Sequence, residues 1–210
     1  MPCLLAFGDS NTHGLKPIVR RGDYARHGPQ ARWPTVCAAA LGSEWSLVEE
    51  GLPGRTTQFD DPVMGAHMNG RNGLHMALLS HGPIDLLALM LGTNDCKTRF
   101  APTPERVTAG IAGLLDIALW PDIQARHGGF EILLICPPSV EETGVLAGEF
   151  WGATAVSREL ATHYSTLADA RGLKFLDAGW VATVSPTDGI HLQPSAHQAL
   201  GAAVAESIRR

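Results

Sequence analysis

Cys3-Leu4-Leu5-Ala6-Phe7-Gly8-Asp9-Ser10-Asn11-Thr12 is an apolar run that ends in a polar, glycine-bearing turn. A short continuous apolar run bounded by a turn signal fits a strand covered on both faces, as in a parallel sheet. Ser10 follows that strand directly, so a strand-to-loop turn carries its Oγ above the sheet edge, with Gly8 permitting tight backbone geometry. Taken alone, Asp9-Ser10-Asn11 reads more readily as an Asx-turn or a helix cap than as a nucleophile turn.

Four further apolar runs lie at 45–48, 84–91, 132–136 and, more weakly, 173–176. Between them the spacing of apolar residues predicts helices over 33–41, 72–80, 104–126, 151–171 and 194–208. Pro104 and Pro194 fall where a first helical turn tolerates a missing N–H, and Gly42, Gly128 and Gly172 fall just past helix ends. Five strands alternating with crossover helices predict an α/β fold with a five-stranded parallel sheet. The segments 16–32, 58–71 and 137–150 read as irregular, and no repeat or linker divides the chain, so residues 1–210 are expected to form one domain.

Composition excludes several classes of function. A net charge of −5, with 45% hydrophobic and 18% charged residues, offers no basic footprint for nucleic acid. The longest apolar runs, such as 84–91 broken by Asp85, fall well short of the roughly 20 residues that cross a bilayer. The Ser10 motif is complete by residue 12, with no secretory signal ahead of it, so a cytoplasmic location is expected. Cys3, Cys37, Cys96 and Cys136 form no Cys-x-x-Cys pair, and the nine histidines include no metal-ligand pattern, so neither a metal nor a cofactor is expected.

Asp188-Gly189-Ile190-His191 near the other terminus supplies what a serine hydroxyl needs. A serine is a weak nucleophile until an imidazole accepts its proton, and a carboxylate fixes the tautomer of that imidazole. Asp188 and His191 are three apart in a loop before the last helix, so one turn of chain can set the carboxylate against Nδ1 while Nε2 faces outward. Gly51-Leu52-Pro53-Gly54-Arg55 and Leu91-Gly92-Thr93-Asn94-Asp95 follow two other strands. Asn94 offers a side-chain amide, and Gly54 and Ser10 offer backbone N–H groups, to a developing oxyanion. In an open parallel sheet the loops leaving the carboxyl ends of the strands share one rim, so these four segments are expected to converge.

Gly8-Asp9-Ser10, Gly54, Gly92-Thr93-Asn94-Asp95 and Asp188-x-x-His191 stand in the order of the four blocks of the SGNH, or GDSL-type, hydrolases, and the chain resembles that family over nearly its whole length. Arg32-Trp33, Glu49-Glu50-Gly51-Leu52, Arg55-Thr56-Thr57, Asp60-Asp61-Pro62 and Asp177-Ala178-Gly179 are similar to the bacterial arylesterase and acyltransferase subgroup. The resemblance implies a three-layer α/β/α flavodoxin-like fold. It also implies Ser10 as nucleophile, His191 as base, Asp188 as its orienter, and Ser10, Gly54 and Asn94 as oxyanion donors. It further implies a small-molecule ester substrate, acyl transfer to alcohols or peroxide beside hydrolysis, and a homo-oligomer. His13 departs from the subgroup, where a tryptophan is usual, and points to an altered pocket near Ser10.

Smaller expectations attach to single residues. Phe150, Trp151 and Ile190 are candidates for an apolar acyl or alcohol site, or for packing against the neighbouring loop. Asp9 and Asp95 are expected to hold rim backbone, Lys97 to be solvated, His197 to be structural or at the surface, and His27, His67, His75 and His81 to lie in loops or on helix surfaces. The enzymatic alternative is a carbohydrate O-acetylesterase using the same site. A non-catalytic flavodoxin-like binding module would not need every one of these groups, and no Gly-x-Gly-x-x-Gly or P-loop follows the first strand.

Overall fold

A computed structural model describes residues 1–210. Its centre is a sheet of five parallel strands, β1 (Cys3–Gly8), β2 (Ser46–Gly51), β3 (Leu86–Met90), β4 (Glu131–Cys136) and β5 (Lys174–Asp177), in the spatial order β2-β1-β3-β4-β5. That is the flavodoxin-like doubly wound order, with its switch point between β1 and β3. The register aligns Gly8 with Gly51 on one side and with Met90 on the other, so the loops after β1, β2 and β3 leave side by side.

Alternation along the strands sorts the core into two layers. Leu4 and Ala6 of β1 pack with Trp33 and Cys37 of α2 (Trp33–Leu41) and with Leu200 and Val204 of α7 (Pro194–Arg209). Leu5 and Phe7 face the opposite way. They join Leu74 and Leu78 of α3 (Gly70–Ser80), Ile111 and Leu114 of α4 (Pro104–Ala118), and Leu160 and Tyr164 of α6 (Ala153–Arg171). All these side chains are fully or almost fully buried, and truncating one such leucine to alanine costs about 2–5 kcal/mol. The sheet is thereby held as a rigid platform under its rim.

One helix differs from the sequence expectation. Residues 104–126 are not one helix: α4 stops at Ala118 and α5 (Pro121–His127) begins afresh. Pro121 has no N–H to continue the ladder, and it drives the preceding Trp120 to an extended ψ of 130°. The turn after β1 takes the helix-cap reading of Asp9-Ser10-Asn11 and opens a short helix, α1 (Ser10–His13), in which the Asp9 carboxylate caps the Asn11 N–H at 2.9 Å. The four cysteines are free thiols. No helix is long and apolar enough to cross a membrane.

Candidate active site

Ser10 opens α1, with its side chain at the rim of β1. His191 lies 181 residues further on, and its Nε2 is 3.0 Å from Ser10 Oγ. On the other side of the ring, Nδ1 is 2.6 Å from Asp188 Oδ2. The loop bearing both residues is closed on itself: the Ser185 N–H donates to the His191 carbonyl and the Gly189 N–H to the Ser185 carbonyl, each at 2.8 Å. Gly189 has φ +70°, and a Cβ there would strike the Glu141 carbonyl oxygen at 1.8 Å, so only glycine fits between Asp188 and Ile190.

Asp188 is fully buried and accepts four hydrogen bonds. Oδ1 takes the N–H groups of Ile190 (3.1 Å) and His191 (3.0 Å), and Oδ2 takes that of Ile18 (2.7 Å) besides the imidazole. Burial alone would raise its pKa, but the hydrogen bond and charge of His191, with the N–H groups of His191 and Ile18, hold the carboxyl below its ordinary value. An ionised carboxylate on Nδ1 leaves Nε2 free to accept a proton.

The β2 and β3 loops meet beside Ser10. The Asn94 amide donates to the Arg55 carbonyl at 3.1 Å and, at the long distance of 3.4 Å, to Asp9 Oδ2. Asp95 receives the Thr57 N–H at 3.0 and 2.9 Å and the Thr57 hydroxyl at 2.5 Å, tying the loop of Asn94 to the loop of Gly54. Burial pushes the Asp95 carboxyl up to about 7 in spite of these donors. Burial likewise raises Asp9, against the pull of the Asn11 N–H and of His191, Lys97 and Arg55.

Ser10, Gly54, Asn94 and His191 all border one cleft of about 190 Å³. Its remaining walls are Leu15, Ile18, Pro53, Met64, Lys97, Leu146, Glu149, Phe150 and Ile190. Phe150 and Ile190 thus face the site. Trp151 does not: it is 74% exposed, with only its carbonyl engaged, by the Thr98 hydroxyl at 3.2 Å. His13 is also outside the cleft, because its ring turns to the 16–32 segment and bonds the Tyr24 hydroxyl at 2.7 Å. Lys97 is not solvated but buried in the cleft wall, and His27 is buried with Nε2 3.2 Å from the Leu192 carbonyl. Leu15, Ile18, Met64, Leu146 and Glu149 carry no sequence signal beyond lying in or beside the segments read as irregular.

A serine hydroxyl, an imidazole and a carboxylate on the rim of a doubly wound sheet, opening into a cleft edged by amide groups, have the composition of an acyl-transfer site. The chain belongs to the GDSL-like lipase/acylhydrolase family, whose model matches residues 6–199. It is a carboxylic ester hydrolase. The structure of Est24, a carbohydrate acetylesterase from Sinorhizobium meliloti, superposes with a TM-score of 0.94 at 35% identity, covering 100% of this chain and 99% of that one. The aryl esterase of M. smegmatis superposes with a TM-score of 0.93 at 35% identity over the same shares. A candidate arylesterase from Agrobacterium tumefaciens gives 0.89 at 39% identity, again over 100% and 99%. No curated protein sequence matches the chain.

Proposed function

We propose that the protein hydrolyses short-chain aryl and alkyl esters through an acyl-Ser10 intermediate. The observation that carries this reading is the unbroken line from Ser10 Oγ through His191, at 3.0 Å, to Asp188, at 2.6 Å. His191 Nε2 takes the Ser10 proton as Oγ attacks the ester carbonyl, then returns it to the leaving alkoxide. Water, activated by the same nitrogen, attacks the acyl carbon and releases the acid and free Ser10. Asp188 stabilises the imidazolium formed in each half-reaction.

The Ser10 and Gly54 N–H groups and the Asn94 amide are the oxyanion donors in this account. One Asn94 N–H is committed to the Arg55 carbonyl, while the 3.4 Å approach to Asp9 is weak enough for an oxyanion to displace. The apolar walls from Leu15, Ile18, Leu146, Phe150 and Ile190 disfavour water and support acyl transfer to alcohols or peroxide alongside hydrolysis. A homo-oligomer belongs to the same reading, with Val19 and Val63, 64% and 74% exposed, as apolar side chains that a second copy would cover.

Hydrolysis of 4-nitrophenyl acetate by wild type and Ser10→Ala tests the reading. The variant is expected to be folded and inactive; retention of more than a few per cent of the rate overturns Ser10 as nucleophile. The carbohydrate O-acetylesterase reading is favoured by Lys97 and Glu149, which make one wall of the cleft polar, and by the similarity to the S. meliloti enzyme.

A further inference from the structure

Lys97 follows directly on the 3-10 turn Asn94–Cys96, so its backbone is set by the same short segment that sets Asn94. Its side chain is only 6% exposed, and the residue lines the cleft. The nearest acceptors are poor. Met64 Sδ is 3.7 Å away, and a thioether accepts weakly; Asp61 Oδ2 is at 3.9 Å, beyond hydrogen-bond length. An ammonium carries three donors, and burying them without oxygen partners costs free energy. Burial is the main reason its pKa is lowered, with Arg99 adding to the effect and Asp61, Glu149 and Asp9 opposing it.

Asp61 attracts Lys97 by charge but does not satisfy its donors: Oδ1 takes the Val63 and Met64 N–H groups, while the buried Oδ2 has no hydrogen-bond partner, with Lys97 at 3.9 Å and Arg99 Nε at 3.7 Å both too far. Beside Lys97 in the same wall is Glu149, whose two oxygens each take one arginine, Arg21 and Arg99, both at 2.9 Å. A carboxylate has about four acceptor sites, so acceptor capacity remains. The wall therefore pairs an unfilled donor with a partly filled acceptor.

A hydroxyl fills both, accepting from the ammonium and donating to the carboxylate. A substrate carboxylate would instead meet Glu149 and Asp61, and a plain alkyl group would leave the Lys97 donors empty. We propose that Lys97, with Glu149, is a specificity-determining residue that selects esters whose leaving alcohol carries further hydroxyls, as a partly acetylated sugar or polyol does. This inference rests on the esterase reading of the Ser10 site and adds to it the chemistry of the alcohol.

The test compares glycerol monoacetate with n-propyl acetate, which share three alcohol carbons and differ by two hydroxyls, through released acetate and kcat/KM. Wild type is expected to prefer the glycerol ester by roughly tenfold or more, in line with one charge-assisted hydrogen bond. In Lys97→Met the ratio is expected to fall toward unity, the loss lying mainly in KM. A wild-type ratio near unity overturns the proposal without any variant, and so does an unchanged ratio in Lys97→Met. Should Lys97→Met not fold, Lys97→Gln, which keeps a neutral donor, is expected to give an intermediate ratio, and a wild-type ratio in it likewise overturns the proposal. Failure of wild type to turn over either acetate or 4-nitrophenyl acetate would instead count against the Ser10 site.

Discussion

Asn11 holds the loop of His191 on both sides of the imidazole: its amide donates to the Ile190 carbonyl at 3.0 Å and its carbonyl accepts the Leu192 N–H at 3.1 Å. The residue next to Ser10 thus fixes the height of the base above the hydroxyl, across 181 residues of sequence. Asn11→Ala removes both bonds and leaves two buried backbone groups unpaired, at about 1–3 kcal/mol each. A displacement of the ring on the order of 1 Å is expected to lower kcat roughly 10²-fold with KM nearly unchanged. Steady-state kinetics and a melting curve check this; a stability loss without a kcat effect would contradict it.

Asn94→Ala is expected to lower kcat by roughly 10²–10³-fold, the range for removal of one oxyanion donor, with a smaller change in KM. A pure KM effect in 4-nitrophenyl acetate hydrolysis would place Asn94 in substrate binding instead.

Gly54→Ala combines two penalties. The residue has φ +92°, and a new Cβ would lie 2.5 Å from Met64 Cε and 2.8 Å from its Sδ. The left-handed backbone costs about 1–2 kcal/mol for an L-residue, while the flexible Met64 side chain can shift toward the cleft. A lower melting temperature and a narrower acyl range, read from 4-nitrophenyl acetate against butyrate and octanoate, are the expected outcomes. An unchanged chain-length profile would separate Met64 from the acyl site.

Two buried groups bend the pH dependence of stability in opposite directions. His197 is fully buried, and burial lowers its pKa to about 3 from an ordinary 6.5, with His27, His191 and Arg32 adding to the shift. The unfolded chain binds that proton first, so this contribution is present above pH 6.5 and is lost as pH falls toward 3. Asp95 is raised from 3.8 to about 7 by burial, so the folded chain binds that proton first. Its contribution is full below pH 3.8 and is lost as pH rises through 7. Urea unfolding at pH 5 and pH 8 checks both: relative to wild type, His197→Gln is expected to shift stability in favour of pH 5, and Asp95→Asn in favour of pH 8. Parallel profiles in all three proteins would contradict the assignment.

The strands, the crossover helices and the rim segments were legible because each is encoded locally: strands by continuous apolar runs that end in glycine and a polar turn, helices by apolar spacing between proline and glycine, and the Asp188–His191 loop by its own short motif. The break at Pro121 was legible in principle, since proline forbids the helical reading of the residue before it, but the apolar period runs on through it and masks it. Lys97, Ile18 and Asn11 were not legible in the same way. Lys97 is buried among Met64, Glu149 and Phe150 from two distant segments, and Ile18 matters through its backbone N–H, which has no residue signature. His13 and Trp151 were placed near Ser10 by their neighbours in sequence, yet Tyr24 draws the one away and the solvent takes the other.

The most direct test of the Ser10–His191–Asp188 account is peptide-level mass spectrometry after treatment with a fluorophosphonate. The account predicts one stoichiometric adduct on the peptide containing Ser10, absent from Ser10→Ala and strongly slowed in His191→Ala. An adduct on another residue, or one that persists in Ser10→Ala, would contradict it.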